Sequence, residues 1–316
     1  MTNARKVMAA GYGGPDQLVI REVELQAPGP GEVTIEVRAA GVNPIDYRLF
    51  SGALGNDPGS LPLPVGLEVA GVLTALGPGT EIASGGGVVG DEVVAFQVRG
   101  GYSSALTIPA ADTFAKPEAL GFPEAANLLL VGTTAADMLR VVPAGSGATV
   151  LVHGASGAVG VSLLQQLVAL GVRVIGTASK PNFELVRRFG GEPITYGDGL
   201  ETRLRELAPE GFGAAYDCVG TEEAIDVSLR LVDKRRLVTI AGAAIVRSQT
   251  EGFEAVGVAR PDSAPFRNSI RGALLDKAAR GELDIPISRT FPLDEAAAAL
   301  AFLAEGHPGG KLALIP

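Results

Sequence analysis

The 316-residue chain has one cysteine, Cys218, and two histidines, His153 and His307. A single thiol excludes an internal disulfide, and the stretch MTNARKVMAAGYGG at the N-terminus has no apolar core of the kind a secretory signal needs. A cytoplasmic setting is therefore expected. Positive charge is scarce too: 26 Lys and Arg face 35 Asp and Glu, the net charge is −9, and no extended Lys/Arg run occurs. Sequence-independent attraction to nucleic acid or to an anionic membrane surface is thereby disfavoured. Residues 141–172 lack Asp, Glu, Lys and Arg altogether, but Pro143, six glycines and the Gln165–Gln166 pair interrupt them. Such a segment suits a buried strand–turn–helix better than a lipid-facing helix. Apolar residues, by contrast, make up 47% of the chain, enough to bury two sizeable cores and to expect about two domains at this length.

Two rhythms divide the sequence. In VTIEVRA (33–39), Val33, Ile35, Val37 and Ala39 alternate with Thr34, Glu36 and Arg38, the period of a strand with one wet face. Proline and glycine then recur every few residues to about Pro117, the punctuation of a small antiparallel barrel or sandwich. From about Gly121 short apolar runs, TVLVH, VRVIGTA, AAYD and RLVTIAG, alternate with helix-length segments, which predicts parallel strands joined by crossover helices. The first such helix, about 158–170, places Val159, Leu163, Leu167 and Leu170 on one stripe, and residues 266–281 read as a later helix. The final KLALI reads as a strand belonging to the first domain. The expected organisation is a β-rich domain over 1–120, completed by about 285–316, and a doubly wound parallel-sheet α/β domain over 121–284.

VLVHGASGAVG (150–160) sits between a strand and a helix, with Gly154, Gly157 and Gly160 spaced GxxGxxG. A strand ending at His153, a turn without Cβ atoms and a helix start with free N–H groups would meet the requirement of a dinucleotide pyrophosphate. A plain glycine turn has the same sequence. Ser156 is a poor nucleophile elbow, since G-x-S-x-G is not satisfied and the second histidine is distant His307. About twenty residues on, where an NAD site presents a carboxylate to the ribose, the chain reads GTASKPNFE, with Ser179 and Lys180 and no acid before Glu184. An ammonium and a hydroxyl attract a 2′-phosphate that a carboxylate would repel, which favours NADPH over NADH. Lys180 as an ordinary solvated lysine is the alternative.

VRAAGVNPIDYRLFSG (37–52), LPLPVGLEVAGVLTALGPGT (61–80), VGDEVVAF (89–96), GGYSSALTIPA (100–110), LVGTTAADML (130–139) and VLVHGASGAVG follow in an order that resembles the medium-chain dehydrogenase/reductase superfamily. They are most similar to its zinc-independent quinone oxidoreductase branch, which resembles zeta-crystallin. The resemblance implies a GroES-like catalytic domain, a Rossmann domain binding NADPH, an active site in the cleft between them, and a homodimer. By the same resemblance Thr133 meets the nicotinamide end, and Ser156, Gly157, Ala158 and Val159 form the pyrophosphate turn. Ser179, Lys180 and Tyr196 fall where relatives hold the 2′-phosphate, while Val219 and Ala241–Gly242 follow strands at the carboxyl edge. Zinc-dependent relatives carry G-H-E where this chain has Gly66, Leu67 and Glu68, and one cysteine with two histidines cannot furnish their ligand sets, so no metal is expected. Glu68 reads as a structural carboxylate, with a chemical role the alternative.

Without a metal, polarisation of a substrate falls to side chains, water or the cofactor's own hydroxyls. NPIDY offers Asn43 to hold a carbonyl, Tyr47 to donate a proton, and Asp46, which can also simply brace the turn. No tyrosine is followed four residues later by lysine, the pair that short-chain dehydrogenases use. The expected activity is transfer of a hydride from NADPH to a quinone or similar conjugated carbonyl acceptor. The alternatives are enoyl or enone C=C reduction and a non-catalytic NADPH-binding or structural protein.

Overall fold

The computed structural model describes residues 2–306 and 309–316, so His307 lies outside the described residues. Eight strands come first: β1 Thr2–Ala9, β2 Leu18–Leu25, β3 Glu32–Val42, β4 Leu63–Pro64, β5 Glu68–Leu76, β6 Glu92–Phe96, β7 Ala105–Pro109 and β8 Thr113–Ala115. Six follow between crossover helices: β9 Thr149–His153, β10 Arg173–Thr177, β11 Glu192–Ile194, β12 Ala214–Asp217, β13 Leu237–Thr239 and β14 Glu254–Ala255. The chain returns through β15 Ile287–Pro292 and β16 Lys311–Ile315. Two compact units result, one of residues 1–130 with 275–316, the other of residues 131–274.

The first unit holds a sheet in the order β15-β16-β3-β5-β6-β8, with β7 also on β3, and a small sheet β2-β1-β4. In β3 the alternation works as expected, with Val33, Ile35, Val37 and Ala39 buried while Glu36 and Arg38 face water and pair with each other at 3.2 Å. Thr34, between them in sequence, is buried as well, because Thr107 of β7 covers it with a hydroxyl contact of 2.9 Å. β16 runs antiparallel to β3, pairing Leu312 with Val42 and Leu314 with Ala40, and parallel to β15. Leu312, Ala313 and Leu314 are fully buried.

The second unit is a parallel sheet in the order β11-β10-β9-β12-β13-β14. Val150, Val152, Val174 and Tyr216 belong to one core, Leu151, Ile175, Ala215 and Leu237 to another, so each strand is buried on both faces. That is why TVLVH is a continuous apolar run. The helix Ala158–Ala169 buries Leu163 and Leu167, but also Val161 and Leu164. Leu170, expected on the buried stripe, caps the helix and is 51% exposed. Residues 266–281 are not one helix: Ser263–Ser269 and Arg271–Ala279 are separated at Ile270. The Ser269 hydroxyl there donates back to the Phe266 carbonyl, a local bond that competes with the helical ladder. Among the described residues no helix is long and apolar enough to cross a membrane.

Candidate functional site

In the first unit β3 delivers the chain to Asn43, whose extended backbone precedes the helix Pro44–Phe50, with proline at its first position. Asp46, three residues on, accepts the Asn43 backbone N–H at 2.9 Å through Oδ2, satisfying an N-terminal donor of the helix. The same oxygen accepts the Tyr102 hydroxyl at 2.9 Å, while Asp46 Oδ1 is buried with no partner among the described residues. The Asn43 amide donates to Glu68 Oε1 at 2.9 Å, and Glu68 Oε2 accepts the Leu130 N–H at 3.0 Å. From β16, the Lys311 ammonium donates to Asn43 Oδ1 and, at 3.1 Å, to the Val42 carbonyl, and stands 3.7 Å from Glu68 Oε1. Gly41 makes room for this arrangement: a Cβ there would meet the Ala126 carbonyl at 2.3 Å and Glu68 Oε1 at 2.7 Å.

All five side chains are buried. Burial pushes the Asp46 carboxyl up to about 7, against the opposing effect of the Tyr102 hydrogen bond. Burial likewise raises Glu68 and lowers Lys311, each opposed by the other's charge, and raises the Tyr102 phenol well above its ordinary value. Two carboxylates share one ammonium, so a buried excess negative charge is avoided when Asp46 keeps its proton.

The Asn43 amide, expected to hold a substrate carbonyl, is engaged by Glu68 and Lys311 and is 1% exposed. Asp46 braces the turn from within, and Glu68 has the structural bonds expected of it. Tyr47, the third candidate of NPIDY, lies on the helix Pro44–Phe50 and is half-buried, with its ring edge-on to Phe50 at 5.4 Å. Lys311 and Tyr102 were not anticipated as members of this cluster. The only trace of Lys311 in the sequence is a charged residue opening an apolar strand, which ordinarily means a solvated end.

In the second unit the anticipated cofactor residues, Thr133 excepted, follow the carboxyl ends of five neighbouring parallel strands. Thr133 lies on the helix Leu128–Val141 and is buried. After β9, Gly154 turns the chain at φ +72°, and a Cβ there would strike Val219 of the adjacent β12 turn at 2.6 Å. Gly160 is as tightly held, its Cβ position 2.2 Å from the Gly154 carbonyl. Gly157 is different: exposed, at ordinary φ −74°, and with only that carbonyl near, at 3.2 Å. Ser156 is buried, while Ala158 and Val159, in the first turn of a helix with no side-chain cap, are half-buried. After β10, Ser179 is half-buried and Lys180 exposed; after β11, Tyr196 is 53% exposed. Val219 is exposed, and Ala241–Gly242 opens the helix Gly242–Glu251. The Asp217 carboxylate shapes the β12 turn, accepting the Val219 and Gly220 N–H groups at 3.1 and 2.9 Å and the Thr239 hydroxyl at 2.6 Å. His153 is no partner for a serine nucleophile: it contacts Ser228 at 3.0 Å, and burial lowers it to about 4, leaving it neutral.

A sheet reading 3-2-1-4-5-6, with a glycine turn after its first strand, defines the doubly wound dinucleotide-binding class, here joined to a GroES-like β unit. Residues 29–118 match the alcohol dehydrogenase GroES-like domain, and residues 191–314 match a family described as zinc-binding dehydrogenase. The chain is 33% identical to a quinone oxidoreductase of Pseudomonas aeruginosa, the alignment covering 99% of this chain and 100% of that one. It is 31% identical to a 2-haloacrylate reductase of a Burkholderia species, over 96% of each. A mycobacterial protein solved in complex with NADPH is 31% identical and superposes with a TM-score of 0.83, over 99% of this chain and 100% of that one. The chain belongs to the medium-chain dehydrogenase/reductase superfamily, in its quinone oxidoreductase branch. It is an oxidoreductase that works with a nicotinamide cofactor. Among the described residues no group of three or more His, Cys, Asp or Glu is placed to hold a metal ion.

Proposed function

We infer that the protein reduces a conjugated carbonyl acceptor, a quinone in the first instance, with NADPH and without zinc. The observation that carries this reading is the saturated state of Glu68. Its oxygens are taken by Asn43, Leu130 and Lys311, so the carboxylate that follows the missing histidine is paired with a lysine. Oxidation of a saturated alcohol needs an alkoxide, which zinc makes accessible in relatives. Addition of hydride to a quinone or enone gives a delocalised oxyanion and asks only for a hydrogen-bond donor and then a proton. The nicotinamide cofactor supplies the hydride when bound. The chain's own part is to hold it at the carboxyl edge of β9–β13, with the exposed backbone at Gly157 at the pyrophosphate, Thr133 toward the nicotinamide, and Ser179, Lys180 and Tyr196 at the 2′-phosphate. Tyr47 is the residue we assign to the proton. Asn43 and Asp46 serve it indirectly, by fixing the start of its helix.

Enone or enoyl reduction is the second reading, favoured by the similarity to a 2-haloacrylate reductase, whose name specifies a conjugated C=C bond. We place the β-rich catalytic domain on the first unit and the cofactor domain on the second, and propose a homodimer in the cytoplasm, a setting that suits a chain with one thiol. The test is NADPH consumption with an ortho-quinone and an alkenal, beside ethanol with NADP. Reduction of at least one acceptor is expected, and Tyr47→Phe should lower turnover by about a hundredfold while NADPH affinity holds. Ethanol oxidation with neither acceptor reduced would overturn the assignment.

A further inference from the structure

The loop after β11, Thr195 to Gly199, is tied to one guanidinium. Arg203 Nη2 donates to the Thr195 carbonyl at 2.8 Å and to the Gly197 carbonyl at 3.4 Å, and Nη1 donates to the Asp198 carbonyl at 2.5 Å. Three carbonyls converge on one side chain because Gly197 and Gly199 turn the backbone through φ +91° and +75°, conformations that other residues rarely adopt. From the other side, the Glu223 carboxylate accepts the Gly197 N–H at 3.0 Å. Tyr196, in the middle of this clamp, is left exposed. The pairing of Thr177 with Ile194 places Tyr196 and Ser179 each two residues beyond the last paired position of adjacent parallel strands, with Lys180 next.

Two features exceed what a loop anchor needs. Among the described residues no carboxylate lies within ion-pair distance of Arg203, so its direct hydrogen-bond partners are the three backbone carbonyls. Its Nε is also buried with no hydrogen-bond partner among the described residues. The guanidinium thus holds, through backbone carbonyls, a loop that adjoins Ser179 and Lys180.

We propose that Arg203 is a specificity-determining positioning residue for the adenosine 2′-phosphate, acting by holding Tyr196 beside Ser179 and Lys180. The inference rests on the NADPH reading given above. Sequence alone would not single out this arginine, since the charged helix LETRLREL offers it no distinction from Arg205.

Binding of 2′,5′-ADP and of 5′-AMP to the full-length protein, by titration calorimetry without turnover, separates the possibilities. Arg203→Gln is expected to weaken 2′,5′-ADP by about tenfold and 5′-AMP by less. Arg203→Lys, which keeps the charge but cannot span three carbonyls, should fall between, and it carries the test should the glutamine variant not fold. In a Tyr196→Ala background the Arg203→Gln loss should shrink. Equal losses on both nucleotides, or an undiminished loss without Tyr196, would reduce Arg203 to support of the fold and overturn the inference. Lys180→Asp is measured in parallel. If it weakens 2′,5′-ADP while Arg203→Gln does not, the inference alone fails; if the unmodified protein binds both nucleotides equally, the NADPH reading fails.

Discussion

Asp46 shows how a single buried group carries both geometry and pH dependence. One of its oxygens gathers two donors, the other has none among the described residues, and burial lifts the carboxyl from 3.8 to about 7. Because the folded value lies above the unfolded one, the folded state binds more protons between these two values. The stability linked to this proton is complete below about pH 4 and is lost as pH rises through about 7. A shift of this size corresponds to roughly 4 kcal/mol. Asp46→Asn keeps an oxygen for Asn43 and Tyr102 but cannot ionise. Its unfolding free energy, from urea titrations at pH 5 and pH 8, should therefore vary less with pH than that of the unmodified protein. An unaltered pH dependence would contradict this account. NPIDY was legible as an important turn, yet its bonding was not. The partners of Asn43 lie 25 and 268 residues away, and contacts of that separation leave no periodic trace.

At the scale of elements, patterns within a strand or helix were the readable part. The period of two in VTIEVRA and the apolar continuity of TVLVH follow from how many faces of each strand are buried, which composition records directly. Element ends were less legible. Leu170 kept helical spacing but lies beyond the last turn, where a cap has no sheet to pack on. The glycine turn illustrates the same limit, since its three glycines look alike in sequence and differ in space. Gly160→Ala forces a Cβ onto the Gly154 carbonyl and should cost about 1–3 kcal/mol or more, read as a lower unfolding midpoint. Gly157→Val meets little protein, so its melting temperature should stay within a few degrees while NADPH affinity falls at least tenfold. Unchanged NADPH binding in a folded Gly157→Val protein would place the pyrophosphate elsewhere.

For the whole molecule, the instructive feature is that the first unit is discontinuous. β7 covers the first half of one edge of β3, and β16 covers the second half, at Ala40, Gly41 and Val42. Deleting residues 311–316 should expose that half-edge. Hydrogen exchange is then expected to show loss of protection at the amides of residues 40–42, with β9, β10 and β12 keeping theirs; equal loss in both units would show that they do not fold separately. During synthesis the same arrangement becomes a matter of timing. At about 5–20 residues per second, translating residues 131–274 takes roughly 7–30 s, during which strands already out of the ribosome lack their last neighbour. For that interval an apolar strand edge is open to pairing with another nascent chain, which makes stalled or truncated translation products the species most prone to aggregate. The ammonium that secures Asn43 arrives on the same late strand, so the start of the helix bearing Tyr47 cannot be locked before residue 311 has been made.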